Sequence, residues 1–125
     1  MDKVLNVLGN KINESVLVIQ GKNWHEGVIG IAASRIKDKY NKPTIIISFH
    51  DGLGHASARS VVGFDIGSMI LSAVQSKILK KGGGHKMAGG FTIEEKKIEE
   101  FTNFLSKTLS FKFLILLIKN FLFNI

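Results

Sequence analysis

Hydrophobic positions along this chain switch between two rhythms. Residues 16–20, beginning Val16-Leu17-Val18-Ile19, form a short β-branched run that stops at Gly21, the pattern of a buried strand. From residue 26 the period lengthens. Ile29, Ala32, Ala33, Ile36 and Tyr40 recur at helical spacing and predict a helix over 26–40 with one inward face. Glu26 suits the positive end of that helix, and Lys37 and Lys39 suit its negative end. Asn41 and Pro43 stop it. Residues 44–49 predict a second buried strand, His50-Asp51-Gly52 a turn, and residues 56–62 a third strand with Gly63 after it. Asp65 is placed to N-cap a helix running to residue 80, with Ile66, Met69, Ile70, Ala73 and Leu79 inward. Gly82-Gly83-Gly84 is expected to end that helix and open a loop. Phe91-Thr92-Ile93 closes a further strand. Thr92 and Glu95 then have the spacing of a capping box before a last helix that buries Ile98, Phe101, Leu105 and Leu109.

Strands alternating with helices predict an α/β fold: a layered, mainly parallel or mixed sheet flanked by helices, in a single domain over 16–110. A lead-in over 1–15 precedes it and an apolar tail over 111–125 follows. The tail is almost entirely Phe, Leu, Ile, Lys and Asn. It is shorter than the roughly 20 apolar residues of a membrane span, and Lys112 and Lys119 interrupt it. A membrane-surface helix fits the pattern, and so does an abnormal terminus such as a frameshift or truncation. Because the tail adds large apolar side chains after the last amphipathic helix has met its packing needs, truncation after Ser110 is expected to keep the fold and raise soluble yield. A lower melting temperature in the truncated chain would show instead that the tail packs on the core.

At 125 residues, 45% hydrophobic and 22% charged, the chain has the makings of one globular domain. It has no cysteine, which excludes disulfides and thiolate metal sites and agrees with a cytoplasmic location. The first residues lack the apolar core and cleavage site of a signal peptide. A net charge of +7 favours polyanion partners, although a solvated lysine-rich surface accounts for it as well. Metal-site material is sparse. None of the four histidines is paired at helical i, i+4 spacing, and Glu94, Glu95, Glu99 and Glu100 fall on the last helix. A two-metal nuclease centre needs several converging carboxylates or histidines, and no complete set is visible.

Three segments can carry chemistry. Trp24 to Gly30 lies where a strand hands over to a helix, so His25 either contacts a phosphate at the helix N-terminus or only orients the turn. In Gly54 to Ser60, strand alternation puts Ser57 and Arg59 on one face, a hydroxyl beside a guanidinium fork, which suits a phosphate clamp. The competing reading is an edge strand with alternating polar residues. Gly82 to Gly90 holds five glycines in nine residues together with His85 and Lys86. Such a run fits an anion nest better than a flexible linker, because a histidine, a methionine and a strand follow the first glycines.

Taken in order, these segments resemble the DHH-associated domain of DHH-superfamily phosphoesterases, nearest to the RecJ type. That family carries a tryptophan-histidine-x-glycine-valine-isoleucine-glycine segment, matched by Trp24 to Gly30. It also carries a glycine-lysine-glycine-serine-x-arginine-serine strand, matched by Gly54 to Ser60, and a glycine-glycine-histidine-x-methionine-alanine-alanine-glycine loop, matched by Gly83 to Gly90. The resemblance covers roughly residues 16–109. It implies a 5′-to-3′ exonuclease acting on single-stranded DNA in repair and recombination. A separate DHH domain would hold manganese or magnesium through aspartates and histidines, and the associated domain would grip the DNA across a cleft. By position, Ser57 and Arg59 would hold a substrate phosphate, and Gly83, Gly84 and His85 would line the phosphate near the scissile bond.

The chain departs from the pattern in several places. The aspartate-histidine-histidine motif is absent, so no cofactor is expected in this chain. His55 and Ala56 stand where lysine and glycine are usual, and Gly89 replaces an alanine. Past Leu109 the family continues into an oligonucleotide-binding barrel and this sequence does not. Three functions compete: a fragment of the exonuclease, a stand-alone nucleic-acid-binding module partnering a separately encoded DHH half, and another DHH phosphoesterase acting on short oligonucleotides or cyclic dinucleotides. No confident membrane association is expected.

Overall fold

The computed structural model describes residues 15–109. In chain order its elements are β1 (Leu17–Lys22), α1 (Glu26–Tyr40), β2 (Thr44–His50), β3 (Leu53–Arg59), α2 (Ile66–Gln75), β4 (Lys81–Gly84) and β5 (Ala88–Glu94). A 3₁₀ turn (Glu95–Lys97) then leads into a helix over 98–109, here α3. The lead-in expected over 1–15, apart from Ser15, and the tail over 111–125 lie outside the described residues.

The strands form one mixed five-stranded sheet in the order β1-β2-β3-β5-β4. β1 and β2 run parallel, joined by the α1 crossover that parallel pairing requires. The other three pairings are antiparallel, so of the two arrangements expected the sheet is the mixed one. The cause is local. Asp51 (φ 50°) and Gly52 (φ 79°) both adopt left-handed conformations, as a two-residue hairpin turn demands, and they pair Leu53 with His50 at once. That early pairing also moves the third strand, expected over 56–62, to Leu53–Arg59.

Two apolar layers flank the sheet. On one face, Ile29, Ala32, Ala33 and Ile36 of α1 pack on Leu17, Ile19 and Ile46. On the other, α2 and α3 bury Ile66, Ile70, Ala73, Phe101 and Leu105 against Ile45, Ile47, Ala58, Phe91 and Ile93. Each of the Leu, Ile and Phe side chains among them contributes about 1.5–3 kcal/mol on burial. The second face is covered along its length. α1 packs its apolar side chains on β1 and β2 and lies as close to β3 as to β2, which leaves β5 and β4 without a helix on the first face.

Three other expectations are corrected. The helix expected to reach residue 80 ends at Gln75. Lys77 turns left-handed (φ 62°), and Ile78 and Leu79 enter the core from outside the helix, both donating their N–H to Ala73 O. Gly82-Gly83-Gly84 is edge strand β4, not a loop. Thr92 is buried within β5, and the turn before α3 starts at Glu94 without a side-chain cap, so there is no capping box.

Candidate nucleic-acid interface

The bare half of the first sheet face is a grid whose rows follow from strand register. Arg59 pairs with Ala88, and one further pair along the β4–β5 hairpin His85 donates its N–H to Ala88 O at 2.9 Å. In the next row Ser57 pairs with Gly90, and Gly90 with Gly83. In the third, His55 pairs with Thr92, and Thr92 with Lys81. Alternation along the strands puts these residues on the α1 side, away from the α2–α3 core. A glycine floor thus lies between two rows that carry basic side chains.

Ser57 and Arg59 converge as their spacing predicted. A Cβ placed on Gly30 of α1 would lie 3.7 Å from both Arg59 Nη2 and Ser57 Oγ. Arg59 Nη1 donates to Ala58 O at 2.8 Å, which fixes the guanidinium close to the strand. Among the described residues no carboxylate pairs with it. A depression of about 530 Å³ runs beside the pair, lined also by Gly27, Gly30, Ser34 and Arg35 of α1. Its neighbour, of about 570 Å³, is lined by His55, Ser57, Lys81, Gly90 and Thr92, with Glu26 on the lip.

The glycines divide by cause. A Cβ on Gly82 would sit 2.6 Å from Phe91 Cβ and 2.8 Å from Ile70 Cγ2. On Gly84 it would collide with Ala88 O and lie 2.6 Å from Gly89 Cα, and on Gly89 it would lie 2.7 Å from Ile70 Cδ1. These positions are glycine because α2 and the paired strand come close. Gly83 differs, since a Cβ there meets nothing within 4 Å. Of the glycines expected to line a phosphate, Gly83 therefore opens onto the bare face, whereas Gly84 is held by packing.

The hairpin turn does a second job. Lys86 O accepts from Ile66 N–H at 3.0 Å, His85 O from Gly67 N–H at 2.9 Å, and the Asp65 side chain from Ser68 N–H at 3.0 Å. The first-turn amides of α2 are thus satisfied within the fold. Ser60 is also structural: buried, it donates its hydroxyl to Phe64 O and its N–H to Met87 O. The exposed side chain of His85 is left at the end of the Arg59 row.

His25 stands apart from the clamp. It is the N-cap of α1, and its Nδ1 accepts from Gly27 N–H at 3.1 Å. Its ring lines a separate depression with Asn23, Trp24, Ser48 and His50, which shares Glu26 and His55 with the main trough. Trp24 is fixed by packing on Gly21 and by a two-way bond with Ser48, whose Oγ accepts from Trp24 N–H at 2.8 Å and donates to Trp24 O at 3.0 Å. The turn-orienting role of His25 is therefore visible in the bonding. Lys81 was missed at the sequence level. Its signal is the two-residue step to Gly83, legible only once the glycine run is read as a strand. Among the described residues, no group of three or more His, Cys, Asp or Glu side chains is arranged to hold a metal ion, so the residues present do not fit the metal centre the family implies.

Comparison with known proteins agrees with this architecture. The DHHA1 domain family model matches residues 13–110. The single-stranded-DNA-specific exonuclease RecJ of Haemophilus influenzae is 34% identical over 91 residues, which is 70% of this chain and 16% of the relative. The RecJ of Salmonella typhimurium is 38% identical over 88 residues, 68% of this chain and 15% of the relative. The crystal structure of RecJ in complex with Mn2+ from Thermus thermophilus superposes with a TM-score of 0.74 at 25% identity, covering 87% of this chain and 16% of that one. The chain thus spans about a sixth of the length of the curated relatives it matches. With the family model matching residues 13–110 and the fold shared with RecJ, this chain belongs to the DHHA1 domain family.

Proposed function

We propose that this chain is the substrate-gripping module of a RecJ-like exonuclease. It holds phosphates of single-stranded DNA in the cytoplasm while a DHH domain, on the same protein or a separately encoded one, supplies manganese or magnesium and the cleavage step. The observation that carries this reading is the convergence of Arg59 and Ser57 beside Gly30 at the margin of α1, next to the part of the sheet face over β5 and β4 that the helix leaves bare. A planar guanidinium beside a hydroxyl donates several bonds to phosphate oxygens at once. The +7 charge of the chain favours a polyanion partner. His85 extends the clamp's row, and the Gly83 floor admits a backbone at close range.

Arg59→Ala is expected to weaken binding of a single-stranded oligonucleotide by roughly 1.5–3 kcal/mol, since a charge-assisted bond is lost. Lys97→Ala serves as the control. Lys97 lies in the turn before α3 and pairs with Glu100 at 3.3 Å, and an exposed pair of this kind contributes about 0–1 kcal/mol. Fluorescence anisotropy across a salt series checks both. Affinity should fall with a slope of about 0.7 per phosphate contact. Equal losses for the two variants would reduce the interaction to diffuse charge, and an affinity indifferent to salt would remove the phosphate clamp altogether.

A further inference from the structure

The bare face carries a second basic row that the Ser57–Arg59 clamp does not use. His55, Thr92 and Lys81 lie side by side across β3, β5 and β4. The depression of about 570 Å³ joins them to Ser57. Lys81 is exposed and has no ion pair among the described residues. His55 has a loose neighbour in Glu26, with Nδ1 to Oε1 at 3.9 Å, so the carboxylate offsets part of what His55 offers an anion and Lys81 carries the larger share. Arg59 and His55 are four residues apart on one strand, about 14 Å at the usual rise. No single phosphate bridges that distance. Between the rows lie Gly90 and Gly83, with no side chain to hold a sugar-phosphate backbone off the sheet.

Resting on the function proposed above, we infer that Lys81 and His55 form a second phosphate subsite, for a phosphate further along the strand whose first phosphate sits at Ser57 and Arg59. The ligand class is then an oligonucleotide carrying several phosphates, not a mononucleotide or a small cyclic phosphodiester. The glycine floor is where the intervening backbone lies. Lysine suits the outer subsite, because a compact charge on a flexible stem follows a backbone without fixing its geometry. The arginine fork suits the inner one, where orientation matters.

The test uses the full chain, a labelled thymidine oligomer several nucleotides long and, as competitor, thymidine 5′-monophosphate. Lys81→Gln should weaken the oligomer about fivefold and reduce the salt slope by about 0.7, while competition by the monophosphate is unchanged. Arg59→Ala should weaken both ligands. Lys81→Arg, which keeps the charge, should restore the slope. Thermal melts of the Lys81 variants should match the parent, because the side chain is exposed on an edge strand. An oligomer affinity and slope unmoved by Lys81→Gln would overturn the second subsite while leaving the Arg59 clamp standing. So would equal losses for oligomer and monophosphate. If the parent chain binds no oligomer at all, the proposed function fails and the second subsite with it.

Discussion

Gly84→Ala is expected to lower the melting temperature by about 10–20 °C, near the upper end of the roughly 1–3 kcal/mol cost of overpacking in a domain of this size. The added Cβ would meet Ala88 O and Gly89 Cα, which are backbone atoms and cannot rotate away. The strain cannot be shed by letting β4 fray alone, because Lys86 O and His85 O of the same hairpin accept the first amides of α2. Loosening the hairpin therefore uncaps a helix whose Ile66 and Ile70 are fully buried. Gly83→Val, one residue away, is the internal control. Its Cβ enters open space and its φ is not in the left-handed region, so stability should stay within about 0.5 kcal/mol of the parent. The same valine stands beside the trough, paired with Gly90 of its lining, and should weaken oligonucleotide binding. Differential scanning fluorimetry and anisotropy on the two variants separate the roles. A Gly84→Ala protein that melts with the parent would show that the close approach of β4 and β5 is not required. A Gly83→Val protein that binds DNA normally would move the ligand off the glycine floor.

The contrast between these glycines shows what the sequence made legible and what it did not. Helix α1 was readable to its ends, because its apolar positions, the charges at its two ends and Asn41 all agree, and Asn41 indeed caps it in a left-handed conformation. Ser57 and Arg59 were readable as a pair because strand alternation is a local rule, and they do share a face. The glycine run was not readable as a strand. Nothing within Lys81–Gly84 alternates in hydrophobicity, and its reasons for being glycine lie in Phe91, Ile70, Ala88 and Gly89, which only the folded chain brings near. Reading it as a loop hid Lys81, whose place beside His55 depends on β4 pairing with β5 and β5 with β3. The end of α2 was missed for a related reason. Leu79 was read as part of the inward helical face; it and Ile78 are buried, yet a left-handed Lys77 outside the helix delivers them. His25 was left open between phosphate contact and turn, and its bond to Gly27 N–H accounts for the turn.

Incubated alone with manganese and 5′-phosphorylated single-stranded DNA, the chain is expected to release no mononucleotides, and a DHH domain added in trans is expected to bring release on. Hydrolysis of a phosphodiester in this class needs a metal-activated water to attack phosphorus and a charge to stabilise the leaving oxygen. Both require ligands that converge. Among the described residues the acid that lines the trough is Glu26, and no group of three or more His, Cys, Asp or Glu side chains is arranged to hold a metal ion. Asp51 lies in the hairpin turn beside His50, Nε2 to Oδ2 at 3.5 Å and both exposed, with no third ligand. The residues outside the described range add Asp2 and Glu14 and no histidine. On the proposed function the trough supplies affinity instead, and binding ground state and transition state alike does not speed the chemical step. The role of Arg59 and Ser57 in turnover would then be to hold the strand in register with metals supplied by the other domain, where misplacement is costly. In the reconstituted assay Arg59→Ala should therefore lower kcat/KM, and Lys97→Ala should not. Release by the chain alone that disappears in Arg59→Ala would place catalysis here and sink the division of labour, because a contaminating nuclease would not respond to that substitution.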